Sequence, residues 1–355
     1  MQKMRKYLLP ENGAFYKANL HCHSTVSDGR WTPEEIKERY MEKGYSVVAY
    51  TDHNIMYPHN ELCDESFVAL NGVEFGVNNI VDGKPKNKFR KNCDLCMIAL
   101  SSENLFQPCW NKEENVPASW DAAAAKIMDK HLAMCSFDES RPSFKMRYDP
   151  SVINAMIDEG RNCGFFVTHN HPTWSREEYS DYIKYENMHA MEIYNNDSAS
   201  IGHDEHNAKI YDEQLKAGKR LYCIATDDNH NKPEKPDSFG GFTMIKAERL
   251  EYSTITDALL KGNFYASEGP IIESLYFEDG KVYISTAPAQ AIFITKPGKN
   301  VAVKKAEENF IDNACFEIED DDIYFFITVV GEDGKKAYTN AYFTEDLFGV
   351  LNISI

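Results

Sequence analysis

The chain has 355 residues, 43% hydrophobic and 26% charged, with 38 Lys and Arg against 56 Asp and Glu for a formal charge of −18. That length gives two domains, or one large α/β domain with a satellite, and no apolar run approaches the ~18 residues that cross a bilayer. The acidity removes the broad basic footprint that long nucleic acid requires, so a small ligand is the expected partner, with neither a membrane nor long nucleic acid.

The segment Met1–Pro10 is basic but has no apolar core, so no secretory signal is read and the expected location is the cytoplasm. The nine cysteines are scattered without the spacing of a small scaffold, which fits reduced thiols. In chain order, Leu20 leads into His21, a polar turn Ser27-Asp28-Gly29 follows, and Thr32-Pro33 with Glu34 and Glu35 opens a helix that runs to Gly44. Short apolar strands are expected at 45–50, 70–75 and 95–100, as β-α-β units of a parallel sheet. Residues 104–149 read as an insertion, with an Ala-rich helix from Asp121 to His131. A helix at 151–162, strands at 164–168 and 190–194, a helix at about 204–217 and a strand at 220–225 complete the pattern. After Gly269-Pro270 the period changes to two, with segments at 275–277, 282–285, 291–295, 316–318 and 323–330 separated by Asp-Gly and Pro-Gly turns. The expected organisation is a β/α unit over 1–270 and an antiparallel β-rich unit over 271–355.

His21-Cys22-His23 places two imidazoles on one side of a strand end, because side chains two apart in a strand point the same way. Histidine or carboxylate residues then recur at one strand end after another: Asp28, Asp52-His53, Glu74, His169-Asn170-His171 and Asp228-Asn229-His230. An apolar strand ending each time in ligand-type residues is the arrangement of a β/α barrel with its site at the C-terminal ends of the strands. Imidazole with carboxylate is the ligand set of Zn, Fe or Mn hydrolytic sites.

The ordered motifs His21-x-His23, Ser27-Asp28-Gly29, Thr51-Asp52-His53-Asn54, Gly72-Val73-Glu74, His171-Pro172 and Asp228-x-His230 resemble the PHP (polymerase and histidinol phosphatase) superfamily of metal-dependent phosphoesterases, over about 19–270. The resemblance implies a distorted, TIM-like seven-stranded β/α barrel holding two or three divalent metals, and a small phosphorylated substrate. It implies that His21, His23, Glu74 and Asp228 hold one metal, that Asp28, His53 and His230 hold another, and that Glu74 bridges to one bound also by His171. Where the family commonly has a histidine after the Glu, this chain offers Cys96, read either as a thiolate ligand or as a core residue. Gly262-x-Phe264-Tyr265-Ala266-Ser267-x-Gly269-Pro270 and the β-rich tail look like the branch with carbamate hydrolases, so carbamate or other ester hydrolysis is the alternative activity, and a non-catalytic metal-binding module the remaining one. Asp52, His53 and Asp228 are the expected catalytic residues, with Asp52 orienting a histidine or taking a proton from water. Arg141, Arg147, Arg176, His169 and Asn195 are the candidate substrate contacts, and an oligomer is compatible with the sequence. Glu192 is a candidate for the polar interior and Asp227 for a turn cap. His59, His131, His189, His203 and His206 are read as surface or capping residues.

Overall fold

The structure, a computed structural model, describes residues 5–81, 84–85, 89–110, 129–131, 133–138, 145–297, 302–305 and 310–348. Most of the expected insertion, Arg141 included, therefore lies outside the described residues.

Local sequence signals hold where they were strongest. The Thr32 hydroxyl accepts from the Glu35 N–H while the Glu35 carboxylate accepts from the Thr32 N–H, and Pro33 opens the Pro33–Glu42 helix. Its Ile36 and Tyr40 are buried. The Asp149 side chain caps the Pro150–Asn162 helix by accepting from the Ser151 N–H, with proline again in the first turn.

Seven strands pair in sequence order: Ala14–Asn19, Tyr45–Tyr50, Val68–Asn78, Asn92–Ala99, Phe165–Asn170, Ala190–Asn195 and Tyr222–Thr226. The first three pair in parallel, as do the last three, but Asn92–Ala99 is antiparallel to both its neighbours. The expectation of uniform parallel units is corrected here for a physical reason. The chain after Asn78 folds back on itself, Ile80–Val81 pairing with Lys84–Pro85, and so makes no crossover helix. At the C-terminal ends of the first and last strands, the Asp228 N–H donates to the His21 carbonyl (2.9 Å) and the His23 N–H to the Asn229 carbonyl (3.1 Å). The two ends of the run thus meet at the segments that carry His21, His23 and Asp228.

Side chains alternate along these strands. Val47, Ala49, Leu70, Ile98, Phe166, Ala190 and Ile224 share one buried cluster. Leu95, Met97, Val167, Met191 and Ile193 form another, packed with Ile153, Met156 and Ile157 of the Pro150–Asn162 helix. This alternation decides which strand residues can reach the site.

From Ile272 onward the pairing is antiparallel. Lys6–Tyr7, Ile272–Glu278, Lys281–Ala289 and Ile311–Glu317 make a separate four-stranded sheet. Tyr324–Val330 and Ala291–Thr295 extend the large sheet, because Lys336–Thr339 pairs with Phe264–Ser267 (Tyr265 opposite Thr339). Leu275, Val282, Ile284, Ile292, Ile327 and Val329 lie in one apolar cluster between them. The fold is mixed α/β, with a large, partly parallel sheet and a separate antiparallel one. Among the described residues no helix is long and apolar enough to cross a membrane.

Candidate metal centre

Strand ends deliver the site. His21 and His23 follow Ala14–Asn19, His53 follows Tyr45–Tyr50, Glu74 lies within Val68–Asn78, His171 follows Phe165–Asn170, and Asp228 and His230 follow Tyr222–Thr226. The chain leaves these strands sharply: Asn54, His171, Asp228 and Asn231 all take φ between 27° and 65°. Such left-handed backbone is uncommon outside glycine and clusters at functional positions.

His21, His23, Glu74 and Asp228 are all buried and close on one another. The His21 Nε2 is 3.1 Å from His23 Nε2, 3.2 Å from Glu74 Oε1 and 3.2 Å from Asp228 Oδ1, and His23 Nε2 is 3.0 Å from Asp228 Oδ1. The His21 Nδ1 donates to Glu192 Oε1 at 2.8 Å, so that in the neutral ring the lone pair is on Nε2. That lone pair faces carboxylate lone pairs, an arrangement that repels unless a cation or protons stand between. Ligand bonds of about 2.0–2.2 Å at tetrahedral or octahedral angles put neighbouring donors about 3–3.5 Å apart, and the observed spacings fit.

Two further groups adjoin. Asp28, His53 and His230 gather with His23 at the exposed mouth, the Asp28 Oδ1 being 3.6 Å from His53 Nε2 and 3.4 Å from His230 Nε2. Glu74, Asp94 and His171 form the other group, with His171 Nε2 3.4 Å from Glu74 Oε1 and 3.8 Å from Asp94 Oδ2. Glu74 sits at the centre: its Oε2 also meets His53 Nδ1 at 3.0 Å. Asp94 was not among the sequence candidates. The signal was present, because Asp94 lies two residues before Cys96 and so shares its face of the strand. Cys96 stands directly opposite Glu74 in the register, its sulfur accepting from Asn170 Nδ2 at 3.0 Å. The same Asn170 amide donates to Glu74 Oε1 at 3.0 Å. Gly76, opposite Asp94, makes room for it: a Cβ there would lie 2.6 Å from Asp94 Oδ1.

The electrostatics follow from this crowding. Burial opposes protonation of His23, but the adjoining Asp228 and Glu74 carboxylates outweigh it and lift its pKa to about 10. His21 and His171 are raised in the same way, while burial of Glu74 and Asp228 is outweighed by the histidines, which hold both carboxylates low. Burial pushes Asp94 up to about 7 against the pull of His171, and burial, with His23 beside it, pushes His230 down to about 4.

Other candidates fall elsewhere. Both Asp52 oxygens are occupied, accepting from the Ser24 and Ser27 N–H groups (2.8 and 3.1 Å) and from both serine hydroxyls (2.8 and 2.6 Å). Asp52 therefore shapes the loop between His23 and Asp28 instead of orienting a histidine. Asn195 is fully buried and donates to Glu192 Oε2 (2.8 Å) and Asp228 Oδ2 (3.2 Å), which makes it a brace for those carboxylates, not an open substrate contact. His169 lies on the opposite strand face from Asn170, its Nε2 2.5 Å from Glu177 Oε2 in a buried group with Cys93, and does not join the cluster. Arg147 and Arg176 are both exposed. Asp227 accepts from the Phe239, Gly240 and Gly241 N–H groups at 2.8–2.9 Å, the turn-holding role read from sequence. His59 and His131, read as surface residues, are buried, the first between Tyr50 and Tyr57 and the second against the Met56 carbonyl at 2.7 Å.

No family model matches the chain, and no curated protein matches it. Solved structures similar to it include a two-domain protein from Bacteroides vulgatus ATCC 8482, described as containing a predicted PHP-like metal-dependent phosphoesterase. It is 14% identical, with 97% of this chain and 91% of that chain covered, at a TM-score of 0.40. A candidate metal-dependent phosphoesterase from Bifidobacterium adolescentis ATCC 15703 is 16% identical over 63% of this chain and 91% of its own, at a TM-score of 0.36. An amidohydrolase from Chromobacterium violaceum, with bound sulfate and no metal, is 15% identical over 60% of this chain and 87% of its own, at a TM-score of 0.38.

Proposed function

We propose that the chain is a metal-dependent hydrolase of the PHP type, a phosphoesterase that releases phosphate from a small metabolite. One observation carries the reading: buried imidazole nitrogens and carboxylate oxygens from separate strand ends converge with lone pairs facing one another. The bonds joining the His21–His23 and Asp228–Asn229 segments support a distorted barrel over 1–270, with the insertion at 104–149 and the β-rich unit at 271–355 appended. Two or three divalent ions of the Zn, Fe or Mn class suit the donors. His21, His23, Glu74 and Asp228 would hold the first, Asp28, His53 and His230 the second, and Glu74, Asp94 and His171 the third.

Ions bound there supply Lewis-acid polarisation of a phosphoryl oxygen and a water nucleophile at neutral pH. The protein's own part is orientation. Glu192 fixes the His21 ring through Nδ1 and accepts the His171 N–H at 2.8 Å, so one carboxylate sets two ligand positions. Asn195 steadies Asp228, and Asp52 holds the loop that brings Asp28 to the mouth. His53 and His230, part-exposed beside Asp28, are the groups an incoming ester meets first.

Elemental analysis of metal-replete protein, joined to turnover of phenyl phosphate and a phenyl carbamate before and after chelation, tests the proposal. The expected outcome is two or three ions per chain and phosphate release that chelation abolishes. Less than about 0.2 ion per chain would overturn the metal centre, and carbamate turnover without phosphate release would overturn the phosphoesterase assignment.

A further inference from the structure

Beside the metal-ligand cluster lies a pocket of ≈ 240 Å³ lined by Arg90, Asn92, Trp174, Ser175, Arg176 and His203. Two of its lining residues, Trp174 and Ser175, touch His171. The Ser175 hydroxyl is 3.2 Å from His171 Nδ1, and the Trp174 ring stands edge-on to the His171 ring with centroids 5.0 Å apart. The Asn92 N–H donates to the Ser175 carbonyl at 3.0 Å, which ties the Asn92–Ala99 strand to the loop after His171. Asn92 and Asp94 share a strand face, and two residues of strand advance about 7 Å. The pocket therefore opens about one such step outward from Asp94.

Its charge runs against that of the whole molecule. The chain carries −18, yet two arginines and a histidine line this pocket and no carboxylate does. Among the described residues neither arginine is in an ion pair, and the Arg90 Nε donates only to Asn92 Oδ1 at 3.4 Å. Arg176 is held in place by its backbone: it takes φ 59°, with its N–H on the Thr173 carbonyl at 3.0 Å and the next N–H on the Pro172 carbonyl at 3.1 Å. A left-handed arginine is a strained choice that a fixed loop must offset. The loop is fixed by Glu177, which is buried and accepts from Tyr185 at 2.6 Å and Tyr148 at 3.3 Å while paired with His169.

We infer that this pocket is an anion subsite, so that the substrate is a compact phosphate monoester carrying a second acidic group, phosphate or carboxylate, about 7 Å from the scissile one. The inference rests on the metal centre proposed above and deepens it. One acidic group lies over the ion ligands while the other is gripped by Arg90 and Arg176, with the connecting atoms across Trp174.

Calorimetric titration of the metal-loaded full chain with butane-1,4-diphosphonate, 5-phosphonopentanoate and butylphosphonate tests it without turnover. The wild-type protein is expected to bind one or both doubly acidic probes about tenfold or more tighter than butylphosphonate, the scale of a charge-assisted hydrogen bond. In the Arg90→Gln, Arg176→Gln double variant the ratio is expected to fall to within about twofold. A preference for the diphosphonate identifies phosphate as the second group, and a preference for the phosphonopentanoate identifies carboxylate. Equal binding of all three by the wild type, or a ratio that survives in the double variant, overturns the subsite. Phenyl phosphate turnover without that selectivity sinks the subsite alone, whereas selectivity with no turnover of phenyl phosphate or of butane-1,4-diyl bisphosphate upholds the subsite and sinks the phosphoesterase reading.

Discussion

Replacing Glu192 by Gln tests whether the His21 ring is set for metal binding by its outer partner. Glu192 is fully buried and accepts four donors: His21 Nδ1 (2.8 Å) and the Thr226 hydroxyl (2.7 Å) on Oε1, the His171 N–H (2.8 Å) and Asn195 Nδ2 (2.8 Å) on Oε2. A carboxamide has one oxygen and one NH₂, so the NH₂ must face one pair of donors. Turned toward His21, it forces the ring into the other tautomer and places a proton on Nε2, over the lone pair aimed at Glu74 and Asp228. Turned toward the His171 N–H, it leaves a buried backbone donor without an acceptor and displaces the turn that carries His171. Either arrangement is expected to weaken metal binding by about 10–100-fold, the scale found for outer carboxylates, or ~1.4–2.7 kcal/mol. Competition against a chelating indicator gives the ratio of dissociation constants, and thermal unfolding with and without metal shows that the fold is intact. Affinity within about threefold of wild type, well under that scale, would refute the orienting role.

Other consequences are open to simpler measurements. Asp94→Asn is expected to remove one ion per chain by elemental analysis while Cys96→Ser leaves the count unchanged, and the reverse pattern would move the ligand role to Cys96. Gly76→Ala, whose Cβ would stand 2.6 Å from Asp94 Oδ1, is expected to lower that same occupancy and to cost ~1–3 kcal/mol in denaturant unfolding. Asp52→Ala strips acceptors from two backbone N–H groups and two hydroxyls, with an expected loss of ~1–3 kcal/mol by the same measurement; a change below about 0.5 would refute the bracing role. Burial, with Arg161 nearby, pushes His189 down to about 4, and its Nδ1 accepts the Val167 N–H at 3.0 Å. The folded state thus refuses a proton that the unfolded chain takes near ~6.5, so stability should fall as pH drops from ~6.5 to 4 and level off below, and His189→Asn should flatten that slope in urea titrations.

Most of the cluster was legible because each apolar strand ends in a residue that apolar surroundings do not explain. His21, His23, His53, His171, Asp228 and His230 stand just beyond such ends, Glu74 lies within a strand that runs on to Asn78, and the structure brings them together. What was illegible depended on which face a residue takes. The rule that residues two apart share a side holds for His21 and His23, but not for His169 and His171: the strand ends at Asn170 and His171 turns away at φ 27°, leaving His169 on the outer face with Val167. Asp94 was hidden because it precedes the apolar run expected as a strand at 95–100, whereas the other ligand-type residues lie toward or beyond the ends of theirs. The antiparallel course of Asn92–Ala99 was hidden for a different reason, since a hairpin and a crossover leave the same apolar run in the strand itself.

The cluster also explains why its strand ends need so much bracing. Two buried carboxylates, Glu74 and Asp228, are held charged by histidines that burial alone would keep neutral. An uncompensated buried charge costs several kcal/mol, so these side chains are tolerable only with protons on the rings or with a cation among them. Both cannot be present at once, because the ring nitrogens that would carry the protons are the ones that would bind the ion. Metal binding must therefore release protons, and affinity must rise with pH until the rings are neutral. The left-handed turns at His171 and Asp228 add strain of ~1–3 kcal/mol each. That strain is offset by the Asp228–His21 and His23–Asn229 backbone bonds and by the Glu192 and Asn195 contacts. These outer contacts hold the donors together before any ion arrives, so the ion meets a formed site and gives up little of its binding energy to ordering the chain.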